Sequence, residues 1–208
     1  MGNGLTDRFT KSPFRRPFTA LARLAALSAL LAAALPQDAA LAKQSSSYLT
    51  PVRHVVAPQG ARNLCSTIIW ACSVSAGTPS IAQADISRIH TLNRTVNRKV
   101  RSVSDASQFR VEEEWSLPTA RGGDCEDFAL LKKRELIRLG YPAQNLLIAT
   151  VLDHRRRGHA VLVVRTEVGD MVLDNLTNRI KSWSDTGYIF LRMQDPRMPS
   201  KWVMVSPT

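Results

Sequence analysis

The second half of the chain carries three short apolar runs rich in Val, Leu and Ile, at 146–152, 160–166 and 171–176. Each has the length of a strand rather than of a helix. Gly169-Asp170 predicts a hairpin turn between the last two, so that pair runs antiparallel. Stretches at 188–193 and 202–205 add a final strand or two. The segments before these runs have helical spacing instead. Thr78-Pro79 reads as an N-cap followed by proline at the first helical position, and Ile86, Ile89, Val96 and Val100 then share one face up to about residue 103. A second helix is predicted over 124–139, capped by Asp124, ended by Gly140 and followed by Pro142. Helices first and antiparallel strands afterwards predict an α+β fold, with N-terminal helices packed on an antiparallel sheet.

Residues 1–42 do not belong to this pattern. A basic region with Arg8, Lys11, Arg15 and Arg16 precedes an almost pure Ala/Leu run, which Pro36 breaks before Ala40-Leu41-Ala42. That order predicts a cleavable secretory signal peptide, and a single domain over 43–208. No segment reaches the roughly 18 apolar residues of a membrane span. The expected location is outside the cytoplasm. Residues 43–60 are polar, with Pro51 and Pro58, and read as an extended lead-in.

The net charge of +11 raises the question of nucleic acid. Export argues against it, and so does the lack of a zinc-finger, RRM or helix-turn-helix signature. A basic surface outside the cytoplasm suits acidic proteins or anionic head groups. The three cysteines divide into a close pair, Cys65 and Cys72, and a solitary Cys125. In an oxidising compartment the pair is expected to bridge, the alternative being two buried thiols, and Cys125 is left as a candidate reactive thiol.

The chemistry gathers around Gly122-Gly123-Asp124-Cys125-Glu126-Asp127. Cys125 falls in the first turn of the second predicted helix, where unpaired N–H groups and the helix dipole favour a thiolate. Two glycines before it let the backbone turn sharply and let a substrate approach. Asp124, Glu126 and Asp127 act the opposite way, because like charge disfavours thiolate. A cation would offset them, and hard oxygen ligands at this density suit Ca²⁺. The alternative is an N-cap and acidic residues favoured in a helix's first turn. A cysteine nucleophile also needs a base and a group to orient it. His159 opens the strand at 160–166 and Asp174 lies in the next, so Cys125, His159 and Asp174 form the candidate triad. A tight turn at Val168-Gly169 would leave His159 roughly 13 Å along the strand from Asp174. Pairing of the two therefore requires a different turn or register. Trp115 reads as a packing residue or a cleft wall, and Arg155-Arg156-Arg157 as a solvated loop or a site for acidic substrate.

The string Gly123-Asp124-Cys125-Glu126-Asp127-Phe128-Ala129 with Lys132, the block from His159 to Val164, and Val172-Leu173-Asp174-Asn175-Leu176 resemble the bacterial transglutaminase-like cysteine proteinases, among them the LapG-type periplasmic proteases. The resemblance covers about residues 50–205. It implies a papain-like, transglutaminase-type fold and a Cys-His-Asp triad on Cys125, His159 and Asp174. It also implies calcium held around the nucleophile, matching Asp124, Glu126 and Asp127. Studied relatives clip a large surface adhesin, release biofilm cells, and are sequestered by a c-di-GMP-responsive inner-membrane receptor. The expected activity is a cysteine endopeptidase acting on an envelope or cell-surface protein through a thioester. Two rivals stay open: transglutaminase or amidase transfer on the same triad, and a catalytically idle envelope binding module.

Overall fold

The computed structural model describes residues 47–75 and 80–206. Among these, seven strands form one antiparallel sheet: β1 (Pro51–Val55), β2 (Leu146–Leu152), β3 (Gly158–Thr166), β4 (Gly169–Leu173), β5 (Lys181–Ser182), β6 (Ile189–Asp195) and β7 (Met198–Val205). Their order is β1-β7-β6-β2-β3-β4-β5. Among the described residues, four α-helices precede β2: α1 (Leu64–Thr67), α2 (Ile86–Lys99), α3 (Asp105–Gln108) and α4 (Cys125–Arg138). The α+β architecture expected from the residue pattern is the one observed.

β2 and β3 occupy central positions, and alternate residues serve opposite faces of the sheet. Leu146, Ile148, Leu162 and Val164 join the helix-side core with Ile89, Leu130 and Leu136. Leu147, Ala149, Val161 and Val163 join a second cluster on the other face, with Trp183 and Phe190. Burial on both faces explains why these strands read as continuous apolar runs. Cys65 and Cys72 are joined by a disulfide across a Cα–Cα distance of 5.4 Å, and Cys125 is free.

Three expectations are corrected. The first long helix begins at Ile86, after a 3₁₀ turn at Gln83–Asp85, and stops at Lys99, so Val100 is its extended cap rather than part of its stripe. Thr78-Pro79 lies outside the described residues. The 43–60 lead-in contains an edge strand, β1, whose mostly exposed residues show no alternation to betray it. The β3–β4 turn falls at Glu167-Val168, because Thr166 pairs with Gly169.

Helix α4 also buries two adjacent lysines. Burial drives Lys132 down to about 7, against the opposing pull of Asp174, and drives Lys133 down to about 7 as well. Lys133 Nζ donates to Gln194 Oε1 at 2.9 Å, and that oxygen also accepts from Ile148 N. Replacing Lys133 with methionine leaves Gln194 satisfied and removes a buried amine. Lys133→Met is expected to raise stability at pH 7 by about 1–3 kcal/mol. The unfolded chain keeps the lysine proton to about pH 10.4, whereas the folded protein loses it near 7. Unfolding therefore takes up a proton between these values, and wild-type stability rises with pH across that window. Thermal denaturation from pH 7 to 10 should show a higher and flatter Tm profile for the variant.

Candidate active site

Cys125 is the first residue of α4, and Asp124 holds the N-cap position. Gly122 has φ +126°, and a Cβ there would collide with the Arg101 carbonyl; a Cβ on Gly123 would collide with the Asp127 carboxylate. The glycine pair thus lets the approach to α4 pass between two fixed groups. The Cys125 sulfur accepts the Ala160 N–H at 3.3 Å, which docks the start of α4 against β3 beside His159. The thiol hydrogen points to Glu126 Oε2 at 3.2 Å. Among the described residues, no hydrogen bond joins the sulfur to the imidazole. The helix start does not lower this thiol's pKa as expected: burial, then the Glu126 charge, pushes it well up, against the Ala160 N–H.

His159 and Asp174 are brought together. The turn at Glu167-Val168 slides the hairpin by two residues relative to a turn at Val168-Gly169. Leu173 then stands opposite Leu162, and Asp174 continues past the paired segment on the face of β3 that carries His159. His159 Nε2 and Asp174 Oδ1 lie 2.9 Å apart, both groups buried. That bond leaves Nδ1 as the ring nitrogen free for acid–base work. Leu176 N–H donates to the same carboxylate oxygen at 2.9 Å, and Tyr188 O–H donates to Oδ2 at 2.6 Å. Burial opposes the Asp174 charge, but these donors hold its carboxyl below the ordinary carboxylate range. From α2, Asn97 Nδ2 donates to the Asp174 carbonyl at 2.8 Å, fixing the chain where β4 ends.

Tyr188 and Asn97 escaped the sequence reading. Asn93 and Asn97, one helical turn apart among hydrophobic positions of α2, were the one available signal. Tyr188 also meets the His159 ring edge-on at 5.8 Å. Through its hydrogen bond it would position Asp174 in the candidate triad. Tyr188→Phe is expected to lower kcat roughly 5- to 20-fold with KM nearly unchanged. Steady-state kinetics checks this, since a merely structural loss would reduce the active fraction and spare the per-site kcat.

The acidic residues divide differently from the expectation. Ligand oxygens of Asp105, Asp124 and Glu126 lie within 4.8 Å of one another. Asp124 does not cap α4 with its side chain; its Oδ2 accepts Asp105 N–H at 3.2 Å. Asp105, from the short α3, accepts Glu114 N–H through Oδ2. Asp127, named from sequence with Asp124 and Glu126, turns to Ser116, accepting its N–H at 3.1 Å and its hydroxyl at 3.4 Å. Each of the four carboxylates keeps one buried oxygen without a hydrogen-bond partner: Asp105 Oδ1, Asp124 Oδ1, Glu126 Oε1 and Asp127 Oδ2. Orphaned acceptors at this density are costly unless a cation or protons satisfy them. Burial raises the carboxyls of Asp105 and Glu126, the latter also through its contact with Asp124, and takes Asp127 up to about 7. The donor set is all hard oxygen and fits Ca²⁺.

Trp115 packs in the helix-side core, its ring 5.8 Å edge-on from Trp202. Of the other histidines, His54 bonds Asp195 at 2.8 Å, His154 stacks near Tyr188 at 5.0 Å, and His90 lies on α2.

Residues 52–208 match the family model described as bacterial transglutaminase-like cysteine proteinase. Among solved structures, calcium-bound Legionella pneumophila LapG is similar at 24% identity, covering 53% of this chain and 65% of that one, with a TM-score of 0.47. EGTA-treated LapG from the same organism is similar at 24% identity over 53% and 63%, with a TM-score of 0.46. The chain thus spans less than two-thirds of the length of these proteins. No curated protein matches.

Proposed function

The chain belongs to the bacterial transglutaminase-like cysteine proteinases, and on that premise we propose that it is an exported, calcium-dependent endopeptidase cleaving an envelope or cell-surface protein. Cys125 is the nucleophile, His159 the acid and base, and Asp174 the orienter of His159. The observation that carries the reading is the buried 2.9 Å His159–Asp174 pair set one residue from the amide that grips the Cys125 sulfur.

The Cys125 thiol passes its proton to His159 Nδ1, and the resulting thiolate attacks the scissile carbonyl. Asp174 stabilises the resulting imidazolium through Nε2. The Cys125 backbone N–H, unpaired at the helix start, is the donor for the oxyanion. His159 then protonates the leaving amine, leaving a thioester on Cys125. Water deprotonated by His159 attacks that thioester and releases the new carboxyl terminus. Asp105, Asp124 and Glu126 would hold calcium, with Asp127 beside them. Bound there, the ion supplies positive charge that offsets the carboxylates next to the thiol.

The leader pattern in residues 1–42 supports export, and the periplasm is the proposed location. A large adhesin and a c-di-GMP-responsive membrane receptor are the substrate and partner that the family resemblance brings. The test is to incubate an envelope fraction with wild-type protein and with Cys125→Ala, in calcium and in chelator, and to map new N-termini by mass spectrometry. New termini are expected only with wild-type protein in calcium. Identical profiles for wild type and Cys125→Ala would overturn the proposal.

A further inference from the structure

We propose that a basic cavity beside Asp174 and Tyr188 is a specificity subsite for an acidic side chain of the substrate polypeptide, an inference that rests on the peptidase reading above. The cavity has a volume of about 470 Å³, and its cationic lining is Arg155, Arg157, Arg179 and Lys181. Two carboxylates share this wall, Asp153 and Asp174. Both are already engaged. Asp153 Oδ2 takes the Arg157 guanidinium at 2.9 Å and 3.1 Å, and its Oδ1 takes Arg155 N–H and Arg157 N–H. Asp174 is held by His159, Tyr188 and Leu176. Among the described residues, Arg155, Arg179 and Lys181 have no ion-pair partner. Three uncompensated cations around one concavity raise the local potential for an entering anion.

The walls are fixed before any ligand arrives. Asp153 ties the 153–157 loop to itself, and Arg156 sits there at φ +61°. On the opposite side, Asn93 Nδ2 donates to the Asn178 carbonyl and Asn97 Nδ2 to the Thr177 carbonyl, both at 3.2 Å, holding the loop that carries Arg179. Preorganised guanidinium groups match a carboxylate in two-point geometry. Val172 and Leu176 supply apolar surface for the methylenes of a glutamate. The shared Asp174–Tyr188 wall sets the cavity one side chain from His159. An acidic residue seated there would belong to the same polypeptide whose bond is cut. Of the Arg155–Arg157 run, Arg155 and Arg157 line the cavity and take the acidic-substrate role, together with Arg179 and Lys181 far away in sequence.

The experiment uses a peptide library made by digesting a bacterial proteome, exposed to wild-type protein in calcium, with cut sites read by mass spectrometry. Asp and Glu are expected to be enriched roughly tenfold at one fixed distance from the cut bond, and less so at 1 M salt than at 0.1 M. Arg179→Glu should abolish that enrichment and shift it toward Lys, and Arg155→Glu should weaken it. Cleavage without acidic enrichment, or enrichment indifferent to Arg179→Glu, would overturn the subsite while leaving the peptidase standing. If wild-type protein cuts nothing in the library, the fault lies with the peptidase reading. The subsite is then judged on Cys125→Ala: retention of acid-rich peptides that Arg179→Glu loses supports it, and no acid-rich retention overturns it.

Discussion

Cys125→Ala is expected to lower turnover about 10⁴-fold or more, with the far-UV circular dichroism and melting temperature close to wild type. The side chain is small and half-buried at the start of α4, and its removal costs the fold one S–H contact to Glu126 and one N–H contact from Ala160. It costs the reaction everything, because no other thiol is free: Cys65 and Cys72 are bonded to each other. Cys125→Ser keeps a hydroxyl in the same place but is expected to be nearly as inactive. Full activity in either variant would remove the nucleophile from the account.

Calcium is expected to raise the melting temperature by about 5–10 °C at a hundredfold excess over its dissociation constant, and a chelator to reverse the shift and remove turnover. Asp105 of α3 and Asp124, Glu126 and Asp127 at the start of α4 each keep an orphaned buried oxygen. A bound cation would satisfy several of these oxygens at once, whereas the cation-free protein must hold them protonated or repelling. Asp105→Asn should weaken calcium binding measured by isothermal titration calorimetry, although sequence spacing gave Asp105 no role. Asp127→Asn should weaken it less, because Asp127 is occupied by Ser116. An equal loss in both would favour the ligand set named from sequence alone. No calcium effect on Tm or on turnover would dismiss the metal.

The parts of this molecule that were legible beforehand are those written in local patterns. α4 announces itself by Gly122-Gly123, an acidic first turn and Gly140 just beyond its end, and β2 and β3 by apolar runs that no short helix would carry. Cys125 therefore falls at the start of α4 and His159 at the start of β3, the places expected of them. Register was not legible. The two-residue slide that carries Asp174 toward His159 depends on a turn at Glu167-Val168, two residues without turn chemistry of their own. The Thr166 hydroxyl, bonded to the Gly169 carbonyl at 2.7 Å, closes that turn. Asp105 was hidden for another reason: α3 has four residues, too few for periodicity, and its approach to Asp124 is a tertiary contact. Tyr188 reaches Asp174 by the same kind of contact between separate elements. The raised Cys125 pKa reverses the helix-dipole expectation because burial and a neighbouring carboxylate outweigh a partial charge.

The proposed function requires Cys125 to be a nucleophile activated by His159 beside a cation. Its most direct test is the alkylation rate of Cys125 by an iodoacetamide probe at pH 7, mapped by mass spectrometry, in calcium, in chelator, and in the His159→Ala variant. Rapid labelling of Cys125 alone is expected in calcium, and slow labelling both with chelator and in His159→Ala. Labelling in calcium that is no faster than in chelator, and unaffected by the loss of His159, would contradict it and leave Cys125 a structural thiol.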